Sequence, residues 1–148
     1  MECAYVPVMV RFTIIRKFMS KVLYITYDGI LEPLGQSQVL NYTEQLSLKN
    51  QIYILSYEKR KDFNDALLVR SAQNRCREAG ITWFPLPYHK SLLGTFFDIL
   101  RGIFKAIFIR FKHKIEIVHC RSYLPALIGL LLKSIFIPQN LNYRLNEK

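Results

Sequence analysis

The sequence lacks the short motifs that identify many nucleotide-binding and metal-binding proteins. It contains no G-x-G-x-x-G and no G-x-x-x-x-G-K-[ST], so it has neither a dinucleotide fingerprint nor a P-loop. Its three cysteines, Cys3, Cys76 and Cys120, form no C-x-x-C pair and no Cys/His cluster at metal-ligand spacing. We therefore expect free thiols in a reducing compartment and no metal site, with Cys76 and Cys120 in the core because a free cysteine behaves as a small hydrophobe.

Acidic residues are also scarce. The 148 residues include 21 Lys and Arg but only 11 Asp and Glu, which gives a formal net charge of +10. A charge of this size favours an anionic partner, such as nucleic acid, anionic lipid or a phosphorylated substrate. No zinc-finger, helix-turn-helix or RNA-recognition motif accompanies it, so we expect no nucleic acid partner. The hydrophobic content of 51% is ample for the core of one domain.

The stretch Lys21–Leu40 contains the clearest local pattern. An apolar strand at Val22–Tyr27 runs through a loop, Asp28–Gly35, into an amphipathic helix. A strand–loop–helix unit of this kind opens doubly wound α/β domains, which bind ligands at the carboxyl ends of their strands. Free backbone N–H groups at the helix start favour a phosphate there, although the same pattern also describes a plain βα turn.

The rest of the chain alternates apolar strands with helices, which predicts a parallel sheet covered on both faces. The predicted fold class is α/β, a Rossmann-like doubly wound parallel sheet. The further predicted strands are Ile52–Tyr57, Ile81–Leu86 and Ile115–Cys120, and the predicted helices are Gln36–Lys49, Asp62–Ala79, Leu92–Lys112 and Tyr123–Lys133.

Capping and strand-breaking residues set the predicted limits. Asn50 is a predicted C-cap of the first helix, Asp62 the N-cap of the second, and Gly80 the residue that ends the second. Pro85 and Pro87 are expected to stop the third strand. The fourth helix is apolar nearly all round and is expected to be buried. The buried side of the second helix is predicted to comprise Ala66, Leu67, Val69, Ala72 and Cys76.

The third helix, Leu92–Lys112, combines a wide apolar face with charge. Four of its charged residues fall at spacings of three, four and seven into one narrow stripe: Asp98, Arg101, Lys105 and Lys112. Arg110 interrupts the otherwise apolar remainder of the helix. The favoured interpretation is a helix packed into the core with these charges in solvent. The alternative is a basic amphipathic helix that lies on an anionic membrane.

The residues after the last predicted strand are the first candidates for chemistry. His119, Arg121 and Ser122 stand at its carboxyl end, where an α/β fold places functional groups. A histidine there can serve as acid, base or hydrogen-bond donor, or can simply be a polar residue at a strand end. Arg121 can clamp a phosphate or a carboxylate through its planar fork, or can be a surface charge.

The loop after the first strand supplies further candidates. Asp28 can bind a hydroxyl group, but Asp-Gly is common turn chemistry, and the turn is the favoured interpretation. Gln36 and Gln38 are expected to be solvated unless the helix start is a ligand site. His89 is expected to be exposed, and His113 to belong to a basic helix end.

Four separated segments occur in this order: YDGILEPLGQSQVL, ILSYEK, WFPLPYHKS and IVHCRSYLPALIGLLLK. Together they resemble the N-terminal domain of bacterial family 4 glycosyltransferases of the GT-B fold. Within that family the chain looks like the members that assemble cell-surface polysaccharides. The resemblance covers residues 20–134.

The resemblance implies a retaining, metal-independent hexosyltransferase that needs no cofactor. The enzyme would transfer a sugar from a nucleotide-sugar donor to a polysaccharide or lipid-linked acceptor. The N-terminal domain would bind mainly the acceptor, and a C-terminal domain would bind the donor. The resemblance also implies a cytoplasmic enzyme, peripheral on the inner face of the cell membrane, and it strengthens the case for an anionic membrane surface as a partner.

The resemblance also implies roles for individual residues. His119 falls at the family's strand-end histidine, near the transferred sugar, and is the predicted catalytic residue. Gly35 and Gln36 belong to the loop that would approach the donor diphosphate. Arg121 departs from the family pattern, because many members have a second histidine at this position, and an arginine there suits a phosphorylated acceptor. The predicted acceptor-binding residues are Asp28, Gln38, Arg121 and Ser122.

The two ends of the chain depart from the family pattern. Residues 1–19 are interpreted as an extension whose start is misassigned, with Met19 as the alternative start, or else as an extra strand (Val6–Ile15) or a poor signal peptide. Residues 135–148 begin like a fifth strand, Ile135–Ile137, and continue as an atypical polar tail where the family continues its domain. We therefore expect a truncated chain without the donor-binding domain and without transferase activity by itself. The alternative is a stand-alone α/β binding or regulatory module that docks on a protein or an anionic membrane.

Overall fold

Four parallel strands form the centre of the structure. The computed structural model describes residues 20–135. Each strand pairs with its neighbour in parallel, and the order across the sheet is β3-β2-β1-β4. The predicted α/β class is confirmed, and the sheet is compatible with a Rossmann-like fold. The strands are β1 (Lys21–Thr26), β2 (Gln51–Lys59), β3 (Thr82–Tyr88) and β4 (Ile117–Arg121).

Helices connect the strands in every case. The first helix, α1, contains a π-helical turn in its middle, and such turns occur frequently at functional sites. It runs through three consecutive segments, Pro33–Gly35, the π-helical Gln36–Leu40 and Asn41–Ser47. The others are α2 (Arg60–Phe63), α3 (Ala66–Glu78), α4 (Leu92–His113) and α5 (Tyr123–Ile135).

The predicted features near the chain ends have different outcomes. Ile135 is the last residue of α5, so the predicted strand that begins there is wrong at that residue. The rest of that strand, the predicted strand Val6–Ile15 and Cys3 lie outside the described residues. Within residues 20–135, no helix combines the length and the apolar composition that crossing a bilayer requires.

Helices cover both faces of the sheet, which gives three layers. Successive strand residues point to opposite faces, so Leu23 and Ile25 lie in one core, and Val22 and Tyr24 lie in the other. The first core is completed by α4 and α5 through Ala106, Ile109, Ile128 and Leu132. The second is completed by α1 and α3 through Val39, Leu40 and Cys76. This double burial explains why the strands are almost continuously apolar.

The predicted second helix is in fact two helices, and its predicted N-cap is wrong. The chain forms the short α2 and then restarts at α3, where the Asp65 carboxylate accepts hydrogen bonds from the backbone N–H groups of Leu67 and Leu68, at 3.0 and 3.1 Å. Asp62 lies inside α2 instead. The end of the helix is confirmed, because Gly80 follows it with φ +69°.

The predicted buried face of this helix is only partly correct. Ala72 and Cys76 are buried, but Ala66 and Leu67 are exposed. Leu67 precedes Ala72 by five residues, which rotates it about 140° away from the buried side at 3.6 residues per turn. The cap at Asp65 fixes this register. Burial raises the pKa of the Cys76 thiol to about 12.

Because Asp65 rather than Asp62 caps α3, replacing these two aspartates is expected to change the stability by different amounts. Asp65→Ala is expected to lower the free energy of unfolding by about 1 kcal/mol, because it leaves backbone N–H groups of the first turn without an acceptor. Asp62→Ala is expected to change it by less than about 0.5 kcal/mol. Urea unfolding followed by circular dichroism measures both values. A larger loss for Asp62→Ala than for Asp65→Ala would contradict the assignment.

The predicted end of the third strand is also wrong. β3 continues through Pro85 and Pro87 to Tyr88, paired with β2 throughout. Pro85 lies opposite Ser56 and Pro87 opposite Glu58. β3 is an edge strand, so a missing N–H group can point away from the sheet without loss of a ladder hydrogen bond.

Helices α4 and α5 depart from their predicted burial in opposite ways. The Asp98 side chain, expected in solvent, is only 1% exposed. α5, expected to be buried all round, buries Ile128 and Leu132 but leaves Tyr123 and Leu130 exposed. The sheet and α4 cover only one side of α5 in the described part of the chain, so its apolar composition does not lead to complete burial.

Candidate functional site

The carboxyl ends of β1 and β4 bring four of the predicted site residues together. Arg121 ends β4, and its Nε lies 3.3 Å from Oδ2 of Asp28, in the loop after β1. An Nη2–H of the same guanidinium donates to Oε1 of Gln38 in the π-helical turn of α1. His119 lies two residues before Arg121 on the same strand. These four residues line one edge of the sheet, and we call them the His119 cluster: Asp28, Gln38, His119 and Arg121.

An aromatic platform orients His119. Its ring stacks on Tyr24 with the centroids 4.7 Å apart and the planes 11° from parallel. The stack follows from the register, because Tyr24 on β1 pairs directly with His119 on β4. Tyr42 of α1 approaches both rings at 6.0 Å. The imidazole is exposed, and no residue of the described chain hydrogen-bonds its nitrogens, so they are available to a ligand.

The pocket at this cluster is shallow and open, with a volume of about 350 Å³. Hydrogen-bond donors and acceptors line it: a cation, an amide, an imidazole and two phenol groups. Burial raises the pKa of Tyr24, and the Arg121 guanidinium beside it acts in the opposite direction. The lining residues are Tyr24, Gln38, Tyr42, His119, Cys120 and Arg121.

Ser122 is not part of the His119 cluster in this structure. It adopts φ +77°, a conformation that non-glycine residues rarely take and that often marks functional positions. Its carbonyl oxygen accepts a hydrogen bond from the N–H of Ala126, at 3.1 Å, in the first turn of α5. Its hydroxyl group makes no hydrogen bond within the described residues, so its role in acceptor binding stays a prediction.

Gly35 and Gln36 lie at the start of α1 rather than in an open loop. Gly35 is buried, and a Cβ on it would overlap the carbonyl oxygen of Gly29. The side-chain amide of Gln36 donates to the carbonyl oxygen of Leu31, at 3.1 Å. The absence of a side chain at Gly35 therefore permits two backbone segments to pack together. A role for Gly35 and Gln36 near a donor phosphate stays a prediction.

A buried carboxylate that the sequence did not single out holds the loop after β1. Glu58 is fully buried on β2 and accepts hydrogen bonds from the N–H groups of Ile30 and Leu31, at 3.0 and 3.2 Å. The hydroxyl of Ser56 lies 2.5 Å from its Oε1, and the indole N–H of Trp83 donates to that hydroxyl, at 2.8 Å. Burial raises the pKa of Glu58, against the hydrogen bonds that lower it.

Glu58 could have been recognised from the sequence, whereas the contact of Tyr24 with His119 could not. Glu58 is an acidic residue directly after the apolar run Ile52–Tyr57, a position at the carboxyl end of a predicted strand. Tyr24 lies inside a strand, and its partner depends on strand order. The sequence alone did not supply that order, so the stack on His119 was not predicted.

His89 was expected to be exposed, but the structure shows it half-buried. Its Nδ1 lies 2.7 Å from Oδ1 of Asp98, and its backbone N–H donates to Oδ2 of the same residue, at 2.8 Å. The third histidine, His113, packs against the ring of Tyr53, with 4.5 Å between centroids. Burial and the nearby Lys112 and Lys21 lower the pKa of His113.

Neither metal-binding groups nor similarity to known proteins assigns a function to this site. Among the residues that the structure describes, no group of three or more His, Cys, Asp and Glu side chains could hold a metal ion. No protein-family model matches the chain, and no curated protein or solved structure matches it either.

Proposed function

We propose that the chain is the acceptor-binding half of a retaining glycosyltransferase that uses a nucleotide-sugar donor. The observation that carries the proposal is the His119 cluster, in which the Arg121 guanidinium contacts both Asp28 and Gln38 beside His119 at the carboxyl ends of β1 and β4. Doubly wound folds bind ligands at this edge. The resemblance of four segments of the chain to the acceptor-side domain of family 4 glycosyltransferases supports the same assignment.

The chemistry of the cluster suits a hydroxyl-rich ligand that also carries negative charge. Asp28 accepts hydrogen bonds from sugar hydroxyls, while the amide of Gln38 can both donate and accept. The Arg121 guanidinium is bound to Asp28 and Gln38, and its positive charge and remaining N–H groups suit a phosphate or carboxylate on the acceptor. His119 is held in place by stacking, so its nitrogens can serve the reacting hydroxyl and the transferred sugar. In the complete enzyme, groups of a second domain would supply the rest of the transition-state stabilisation.

Oligosaccharide binding tests this proposal. We expect one or more fragments of bacterial surface polysaccharides to move the ring resonances of His119 in NMR spectra of the isotope-labelled chain. Gln38→Ala is expected to weaken that binding about tenfold, the effect of losing one good hydrogen bond to a charged or polar ligand. Gln45→Ala, which removes an exposed amide from the same helix, is the matched control. Failure of every fragment to bind, or equal affinity in the Gln38→Ala and wild-type chains, would refute the proposal.

A second candidate function is docking on an anionic membrane through α4, and it does not require the first. The helix presents an exposed apolar stripe along its length, at spacings of seven, four and three residues. Each of the side chains Leu93, Phe97, Phe104, Phe108 and Phe111 is more than half exposed. A stripe of this length is unusual on a protein surface and marks an interaction site.

The charges on α4 match an anionic surface. Basic side chains border the stripe, with the Nζ atoms of Lys105 and Lys112 5.6 and 5.4 Å from the ring centroid of Phe108. The single acidic residue of the helix, Asp98, is buried. Phenylalanine flanked by lysine is typical of helices that lie in the headgroup region of a bilayer. We infer a peripheral location on the inner face of the cell membrane.

Vesicle co-sedimentation tests the second candidate. The chain is expected to bind vesicles of phosphatidylglycerol and phosphatidylcholine in equal parts, and to bind pure phosphatidylcholine more weakly. Exchanging Phe104 and Phe108 together for serine should reduce binding at least about tenfold, because burial of one such side chain contributes about 2 kcal/mol. Leu48→Ser, at an exposed position outside the stripe, is the control. Equal binding by the double variant and the control would exclude this surface.

A further inference from the structure

A second pocket lies at the carboxyl ends of the other two strands, β2 and β3. It has a volume of about 490 Å³, within the range of small-molecule sites. Four of its seven lining residues are cations, and none is acidic. Two chain segments supply these cations: Lys59, Arg60 and Lys61 are consecutive at the junction of β2 and α2, and Lys90 lies in the loop between β3 and α4. The full lining is Lys59, Arg60, Lys61, Tyr88, His89, Lys90 and Ser91.

Most of this positive charge is not neutralised by carboxylates within the pocket. Lys59 forms an ion pair with Glu32, with Nζ 2.7 Å from Oε2. Arg60 is directed at a ring nitrogen and not at a carboxylate, because its Nη2 lies 2.8 Å from Nε2 of His89. Convergent cations from separate elements repel one another, and an anion in the pocket would relieve that repulsion.

The hydrogen bonds of His89 fix its tautomer. A guanidinium can only donate, so Nε2 of His89 must accept the hydrogen bond from Arg60. The proton of the neutral ring then resides on Nδ1 and is donated to Oδ1 of Asp98, which is buried and also accepts the backbone N–H of His89. Asp98 thus holds the ring rigidly, with Nε2 toward the basic pocket.

We propose that this pocket binds a phosphate group. A phosphate dianion provides several acceptor oxygens at short range, which matches cations that converge from two separate segments of the chain. On binding, the anion takes the hydrogen bond of Arg60 away from Nε2 of His89. The hydroxyl of Ser91 is already bound to the N–H of Gly94 as the N-cap of α4, at 3.0 Å, and remains so. The site requires neither sugar transfer nor the His119 cluster.

Isothermal titration calorimetry with inorganic pyrophosphate, at physiological salt, tests the site directly. Lys90→Gln and Arg60→Gln are each expected to weaken binding about tenfold, the usual effect of losing one charge-assisted hydrogen bond. Lys49→Gln removes an exposed cation elsewhere and should have less than about a twofold effect. In NMR titrations the Nε2 resonance of His89 should move, whereas the ring of His113 should not.

The phosphate group can belong to a free molecule or to a lipid headgroup, and a second arm of the experiment separates them. The same variants are compared for binding to vesicles that contain phosphatidic acid. If the Arg60 and Lys90 variants bind pyrophosphate more weakly than the wild-type chain, the ligand is a soluble molecule. If they lose only binding to the vesicles, the ligand is a lipid headgroup. Absence of binding in both arms, or an equal loss in Lys49→Gln, would overturn the proposal.

Discussion

Glu58→Ala is expected to lower the free energy of unfolding by about 4 kcal/mol, because two buried backbone groups lose their acceptor. The substitution leaves the N–H groups of Ile30 and Leu31 buried without an acceptor, and each orphaned group costs about 1–3 kcal/mol. It also removes the acceptor to which the Ser56 hydroxyl donates. Urea unfolding measures the loss. Glu78→Ala, at the exposed end of α3, is the control and should change stability by less than about 0.5 kcal/mol.

The same carboxyl group makes stability depend on pH. Its pKa in the folded protein is raised above the ordinary value of 4.5 by burial, so the folded chain binds a proton that the unfolded chain has released. This contribution is fully present below pH 4.5 and is lost as the pH rises through the folded-state pKa. Glu58→Gln, which cannot titrate, should lack this decline. A parallel pH profile for Glu58→Gln and the wild-type chain would be evidence against the raised pKa.

Gly35→Ala is expected to destabilise the chain by about 3 kcal/mol or more. The new methyl group would overlap the carbonyl oxygen of Gly29, and overpacking against a rigid neighbour costs about 1–3 kcal/mol or more. Neither backbone segment can move away easily. Gly35 lies in the first turn of α1, and Gly29 packs so closely against Glu58 that a Cβ on Gly29 would lie 2.5 Å from Oε2 of that residue.

Gly80→Ala is the matched control for this substitution. Nothing lies within 4 Å of a Cβ at Gly80, so the only cost is the positive φ, about 1–2 kcal/mol. Thermal unfolding should therefore rank Gly35→Ala well below Gly80→Ala. If the two variants melt together, the packing of Gly35 against Gly29 is not what requires a glycine there.

Much of the fold could be predicted because its causes are local. Apolar runs between helices gave the four strands, and Gly80 gave the end of α3. The wrong predictions concern residues whose environment depends on the tertiary structure. Pro85 and Pro87 are compatible with β3 only because that strand lies at the edge of the sheet. Asp98 is buried because His89 lies beside it, which spacing along α4 does not reveal.

The sequence named four residues of the candidate site but not their contacts. Position at a strand end pointed to His119 and Arg121, whereas Asp28 and Gln38 were chosen through the resemblance to the glycosyltransferase family. Their mutual arrangement depends on β4 lying next to β1, a pairing that no local pattern specifies. The stack of Tyr24 on His119 and the loop anchor at Glu58 depend on the same long-range information.

The strand order has a consequence for the sequence of folding events. β1 pairs with β2 by joining Val22 to Ile52, thirty positions later, but with β4 by joining Val22 to Ile117, ninety-five positions later. Closure of the longer loop costs about 1 kcal/mol more in chain entropy. The β1–β4 pairing has the highest contact order in the sheet and should form late. The pairing of β1 with β2 would thus form first, and the stack of His119 on Tyr24 would form only near the end of folding.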